Sequence, residues 1–67
     1  MSLIRHTVIF NTLSEQEKLA LIDEFERISW CGTDYSPNTN SVEFFLNNSE
    51  QLESLVALPS GITVFKY

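Results

Sequence analysis

Sixty-seven residues allow one domain, and a chain of that size buries only about 60% of the surface its unfolded form exposes, so oligomerisation is one expected aid to stability. A hydrophobic fraction of 43%, with five phenylalanines, supports one small core and excludes a disordered tail. Nine acidic residues against four basic ones give a net charge of −5, which repels phosphate, disfavours direct nucleic-acid binding and makes a basic partner the expected one.

A single cysteine, Cys31, gives no disulfide framework. No apolar run approaches the roughly 18 residues of a membrane span. The sequence therefore predicts a soluble, cytoplasmic protein, one α+β domain over residues 1–67, with no membrane partner.

The first segment, "LIRHTVIF" from Leu3 to Phe10, is rich in β-branched residues and predicts a strand. Ile4, His6, Val8 and Phe10 share one face; Leu3, Arg5, Thr7 and Ile9 share the other. Apolar residues on both faces suit a central position. In "NTLSEQEKLALIDEFERIS", Ser14 followed by Glu17 forms a capping box, and Glu15 and Glu17 suit the positive end of the helix dipole. Leu21, Ile22, Phe25 and Ile28 form the apolar stripe, with Leu19 at its margin. Glu17, Asp23, Glu24 and Arg27 point away from it, and Asp23–Arg27 is an expected i,i+4 pair.

The loop "SWCGTDYSPNTNS" comes next, with a short strand expected around Ser29 to Asp34 and turn formers after it. Val42 to Leu46 alternates Val42, Phe44 and Leu46 against Glu43 and Phe45, predicting another strand. A second helix is expected in "NNSEQLESLVAL", capped by Asn47 or Asn48 with Glu50 or Gln51 three residues on. Its buried side is Leu52, Leu55 and Val56, and Leu58 closes it. Pro59 and Gly61 stop that helix, and "ITVFKY" predicts a final strand. The order β-α-β-β-α-β is the ferredoxin-like pattern, in which two helices cover one face of a four-stranded antiparallel sheet. The rival is a three-stranded α+β layer in which the loop forms no strand.

Four chemistries fare poorly in this sequence. His6, Cys31 and Asp34 are the residue types of a cysteine nucleophile, its base and an orienting acid, yet no signature surrounds Cys31; the expectation is no enzyme and no catalytic residue. One histidine and one cysteine offer no metal-ligand spacing. Neither glycine sits in a phosphate-binding turn, and no cofactor is expected. Phe45 and Phe65, with Arg5 and Tyr67, suit an open aromatic sheet face, but "SVEFFL" lacks the lysine-glycine-aromatic pattern of RNA-recognition motifs.

The acids carry more. Glu17 and Glu24 on the first helix, with Glu50 and Glu53 on the second, are expected to form a negative row, interrupted by Lys18 and Arg27, that meets the cations of a nucleic-acid-binding protein. Trp30 and Tyr35 are the aromatic anchors, and Asp23 and Asp34 complete the set of partner-binding residues. An ordinary solvated acidic face, and a loop whose aromatics pack on the core, are the plainer alternatives.

The segment "SEQLESLVALPSG", Ser49 to Gly61, resembles a helix-and-turn segment of small acidic phage anti-CRISPR proteins, the likeness lying in "EQLES" and the nearby "LPSG". The resemblance implies an inhibitor, phage-encoded and acting in the host bacterial cytoplasm. It would dock on a CRISPR effector subunit and mimic DNA charge in the groove meant for DNA. No common motif unites that class, so no functional residues carry over. "LIRHTVIF" is separately similar to the start of stress-responsive dimeric α+β-barrel proteins, which are longer and which the remaining chain does not follow. The alternative function is a small dimeric α+β ligand-binding or regulatory domain using the open face with Arg5, Phe45 and Phe65. Monomer and weak homodimer both remain expected states.

Overall fold

A computed structural model describes residues 2–66. Tyr67, expected on the open face, lies outside them. The elements run β1 (Leu3–Phe10), α1 (Glu15–Ile28), β2 (Thr33–Ser36), β3 (Ser41–Asn47), α2 (Leu52–Leu55) and β4 (Ile62–Lys66). They form an α+β layer with one four-stranded sheet in the order β2-β3-β1-β4. All three pairings are antiparallel, with Val8 opposite both Val42 and Val64.

That register divides the strands into two faces. His6, Val8 and Phe10 of β1 and Val42, Phe44 and Leu46 of β3 are buried together with Leu21 and Phe25 of α1 and Leu52 and Val56 of the α2 region. The phenyl rings of Phe25 and Phe44 stack at 4.3 Å between centroids, and the His6 ring stacks on Phe44 at 5.4 Å. Burying each large apolar side chain contributes about 1.5–3 kcal/mol, and three rings in contact add a geometric preference. His6 is 2% exposed. Its Nδ1 lies 3.1 Å from the Ile4 carbonyl oxygen, an acceptor, so that nitrogen carries the proton.

α1 begins where the sequence places it. Ser14 Oγ accepts from the Glu17 amide while Glu17 Oε1 accepts from the Ser14 amide, a complete capping box. Leu19 is the exception to the expected stripe: at 56% exposure it faces solvent, and Lys18 is half-buried instead. The expected Asp23–Arg27 pair also gives way, because the Arg27 guanidinium bonds Glu24, one residue nearer.

Two further elements shift. The loop strand forms at Thr33–Ser36, later than Ser29 to Asp34. Ser29 and Trp30 still touch the edge of β3, since Trp30 N–H donates to the Phe45 carbonyl and Phe45 N–H donates to Ser29 Oγ. Between them and β2, Gly32 takes a positive φ of 83° and its carbonyl accepts from Ser29 Oγ, which turns the chain. The second helix shrinks to one turn. Gln51 is extended at φ −119°, ψ 125°, and Val56 at φ −136°, ψ 136°, so only Leu52–Leu55 is helical. Leu55, expected on the buried side, is 41% exposed.

Gly61 closes the last connection with φ 85°, its carbonyl accepting from the amides of Asn11 and Thr12. A side chain there would strike the Thr12 hydroxyl.

Candidate functional site

One side of α1, reaching from the core edge at Leu21 to solvent, supplies one wall of a groove. Glu17, Ala20, Leu21 and Glu24 recur at three- and four-residue intervals, which aligns them along one side of a helix. The opposite wall is Val56, Ala57 and Pro59, on the chain leaving α2. Together they enclose about 440 Å³, open to solvent along one side. Leu21 and Val56 are buried and form an apolar floor. Ala20 and Ala57 are small, so nothing fills the space above it. Pro59 cannot continue a helix.

The two ends carry charge. Glu17 and Glu24 are seven residues apart, about 10.5 Å along a helix axis at 1.5 Å per residue. Each is drawn outward by its own partner. Glu17 Oε1 is 2.9 Å from the Ser14 amide, toward the helix N-terminus, and Glu24 Oε2 bonds Arg27, toward the C-terminus. The Ser14 amide, and then the Ser14 hydroxyl, hold the Glu17 carboxyl below its usual range. It is a carboxylate at neutral pH. Glu17 Oε2 and Glu24 Oε1 make no hydrogen bond among the described residues.

Of the other sequence-predicted site residues, none joins this pair at the groove. Asp23 is exposed on α1 outside the groove, and Glu53 is exposed on α2. Glu50 precedes α2 and turns away: its Oε1 accepts from the Trp30 indole N–H at 2.7 Å and from the Asn47 amide at 2.8 Å. The expected row of four glutamates is therefore two at a groove and two elsewhere. Trp30 is 51% exposed and pinned by that bond, which suits an anchor held ready for contact. Tyr35 lies apart from the groove. It is half-buried on the covered side of the sheet, packed on the core with its ring 6.2 Å from that of Phe10 in an edge arrangement.

No family model, curated protein or solved structure matches this chain. The chemistry of the sites must then carry the functional reading.

On the bare face, Asp34 stands directly opposite Glu43, and Arg5 opposite Phe45, with Phe65 opposite Thr7. His6, Cys31 and Asp34 do not assemble: His6 is buried on the covered face, Asp34 lies on the other, and Cys31 is exposed in the bend between α1 and β2. Among the described residues, no group of three or more His, Cys, Asp or Glu is placed to hold a metal ion, and no helix is long and apolar enough to cross a membrane. Sequence reasoning found Glu17 and Glu24 but missed Ala20, Val56, Ala57 and Pro59. Only the spacing of Ala20 between the two glutamates signalled a gap.

Proposed function

We propose that this chain is a ferredoxin-like domain acting as a non-enzymatic inhibitor, which covers a basic nucleic-acid-binding surface on a partner protein. The fold part draws on the β2-β3-β1-β4 order and its antiparallel pairings. The functional part is carried by one observation: Glu17 and Glu24 frame an open groove with an apolar floor. Lysine and arginine are the side chains that need both, because their stems cover apolar surface while their heads seek charge. Five of the nine acids lie on α1 against only Lys18 and Arg27, so that side of the molecule attracts cations beyond contact range. Glu24–Arg27 is an exposed pair on the helix surface, weak enough for a partner's cation to compete with.

The segment resembling anti-CRISPR proteins, Ser49 to Gly61, contributes Val56, Ala57 and Pro59 to the groove. The partner class we favour is accordingly a CRISPR effector subunit in a bacterial cytoplasm, met at the cations that otherwise hold DNA. The test is DNA binding by a panel of purified CRISPR effectors with and without this protein. At least one effector should lose DNA, and less so as salt rises. Joint Glu17→Lys and Glu24→Lys substitution should weaken the competition about tenfold or more. Failure to displace DNA from any member, or displacement indifferent to salt, contradicts the proposal.

A second reading, a small dimeric regulatory domain, draws on the bare sheet face, where Leu3 and Phe65 are 40% and 43% exposed beside the half-buried Phe45. Sedimentation that shows only monomer at millimolar concentration removes it.

A further inference from the structure

The two edges of the sheet are finished differently. Along an antiparallel ladder, successive residues turn their N–H and C=O groups to one neighbouring strand and then to the other. In β1, the Phe10 amide donates to Asn40 on the β3 side and the Asn11 amide to Gly61 on the β4 side. Carried along the register, this alternation makes Thr63 and Phe65 bond β1, while Ile62, Val64 and Lys66 turn their backbone groups outward. Carried through β3, it turns Thr33 and Tyr35 of β2 outward. The next outward position at that edge is Pro37, which has no N–H, so the four-residue β2 is a blunted edge. β4 runs for five residues in unbroken register, without proline, and its only charge is Lys66. Among the described residues, none bonds its outward groups. Such an edge is a template for another strand.

Charge and symmetry point to whose strand that is. Five of the nine acids lie on α1, which packs over β2 and β3. The others are Asp34, Glu43, Glu50 and Glu53, so β1 and β4 carry no acid, only Arg5 and Lys66 beside the buried His6. A chain of net charge −5 repels its own copy least across this edge. The outward groups are also evenly placed about Val64. With two β4 strands antiparallel about an axis there, Val64 faces Val64 of the second copy and Ile62 faces Lys66, so every outward group meets a counterpart. Gly61, at φ 85°, ends the extended run before Ile62, which prevents a slip in that direction. The opposite slip shortens the overlap and draws the two Lys66 side chains together, a like-charge contact. The side chains agree with the centred register. Ile62 and Val64 are half-buried at the rim of the core, and the paired valines continue its apolar layer across the seam. On the bare face, Phe65, 43% exposed, gains Thr63 of the second copy as its neighbour.

We propose that β4 pairs with β4 of a second copy, antiparallel about Val64, joining the two four-stranded sheets into one continuous sheet. One short strand per copy makes a small interface, so the dimer is weak and forms at high concentration. No β4 residue lines the groove, which stays open in each copy. The pairing therefore stands or fails independently of the inhibitor reading.

The test is sedimentation equilibrium of the whole chain from micromolar to millimolar concentration. The mean mass should rise from 7.7 kDa toward twice that value. Val64→Pro removes an outward N–H and no bond to β1; shown to be folded by circular dichroism, it should associate at least about tenfold more weakly. Phe45→Asp, on the bare face and outside β4, should change association by less than about twofold. A cross-linking assay reads the register without proline. In a Cys31→Ser background, Val64→Cys should form a disulfide between copies on mild oxidation, since facing Cα atoms in a bonded pair lie about 5.5 Å apart. Thr63→Cys, which faces Phe65 of the second copy, should cross-link about tenfold more slowly or less. A monomer at every concentration leaves the edge to a strand of some other protein and overturns the proposal. Association abolished by Phe45→Asp and kept by Val64→Pro, or equal cross-linking from both cysteine positions, overturns it too.

Discussion

The groove has two walls built from similar starting chemistry with opposite outcomes. At Ser14, the amide meets Glu17 Oε1 and the hydroxyl accepts from the Glu17 amide, and α1 runs on for fourteen residues. At Asn47, the amide meets Glu50 Oε1, again three residues on, while the Asn47 side chain accepts from Ser49 and its carbonyl from Glu50. No helix starts there; the chain extends at Gln51 and winds only one turn after it. The bond from the backbone amide to the glutamate three residues on is shared, so that bond does not decide. The downstream residues do. After Ser14 come Leu21 and Phe25, buried, with Ile22 and Ile28 packed beside them. After Asn47 only Leu52 and Val56 are buried, with Leu58 alone packed beside them before Pro59. A cap satisfies orphan amides, but burial of an apolar stripe is what sustains a helix. The consequence for the groove is one regular wall and one irregular wall.

The largest effect expected from breaking this comparison is in the core. Phe25→Ala removes the ring stacked on Phe44 and should destabilise by about 3–4 kcal/mol, Leu52→Ala by about 2–3 kcal/mol, and the exposed Leu55→Ala by less than about 0.5 kcal/mol. Chemical denaturation of the three variants checks the order. If Leu55 proved as costly as Leu52, the one-turn description of α2 would be wrong.

A middle-sized effect is expected at the irregular wall's approach. Glu50→Ala removes the acceptor shared by the Asn47 amide and the Trp30 indole N–H. The cost should be about 1 kcal/mol, and Trp30 fluorescence should change because its ring is no longer held. Unchanged emission would mean that the tryptophan is not pinned by Glu50.

The smallest concerns the regular wall and pH. Glu17 titrates below its unfolded value because the folded carboxylate accepts the Ser14 amide bond. A depressed carboxylate stabilises the fold above its unfolded pKa of 4.5, and this contribution is lost as pH falls through the lower folded value. Glu17→Gln should lower stability slightly at neutral pH, where the carboxylate's contribution is fully present, and flatten the profile below pH 4.5, so that the two proteins converge in acid, as read by thermal melts across that range. An identical acid slope in both proteins would place the titration elsewhere.

Much of this architecture is legible in the letters. "LIRHTVIF" and "VEFFL" alternate, and the register puts Val8, Val42 and Phe44 where alternation does. The capping box marks the start of α1. Most of the misses share a cause, since they depend on partners distant in sequence. "TDYS" holds four residues with a weak strand pattern, and only the edge of β3 selects it over Trp30 and Cys31. Leu52, Leu55 and Val56 have helical spacing, but the path to β4 leaves Leu55 outside. Lys18, paired with Glu15, is half-buried, while Leu19 is exposed. For the site, Glu17 and Glu24 could be read from α1 alone, whereas Val56, Ala57 and Pro59 become a wall only after the chain has folded. Tyr35 has the look of a loop anchor in the sequence, and β2 gives it a covered face instead.

The central claim is that the acid-framed groove, and not the bare sheet face, is the contact surface. The most direct measurement compares Glu17→Lys/Glu24→Lys with Phe45→Asp/Phe65→Asp in displacement of DNA from a susceptible CRISPR effector, each variant first shown to be folded by circular dichroism. The first pair should lose displacement and the second should keep it. Retained displacement after charge reversal at the groove, with loss at the phenylalanines, would contradict the claim.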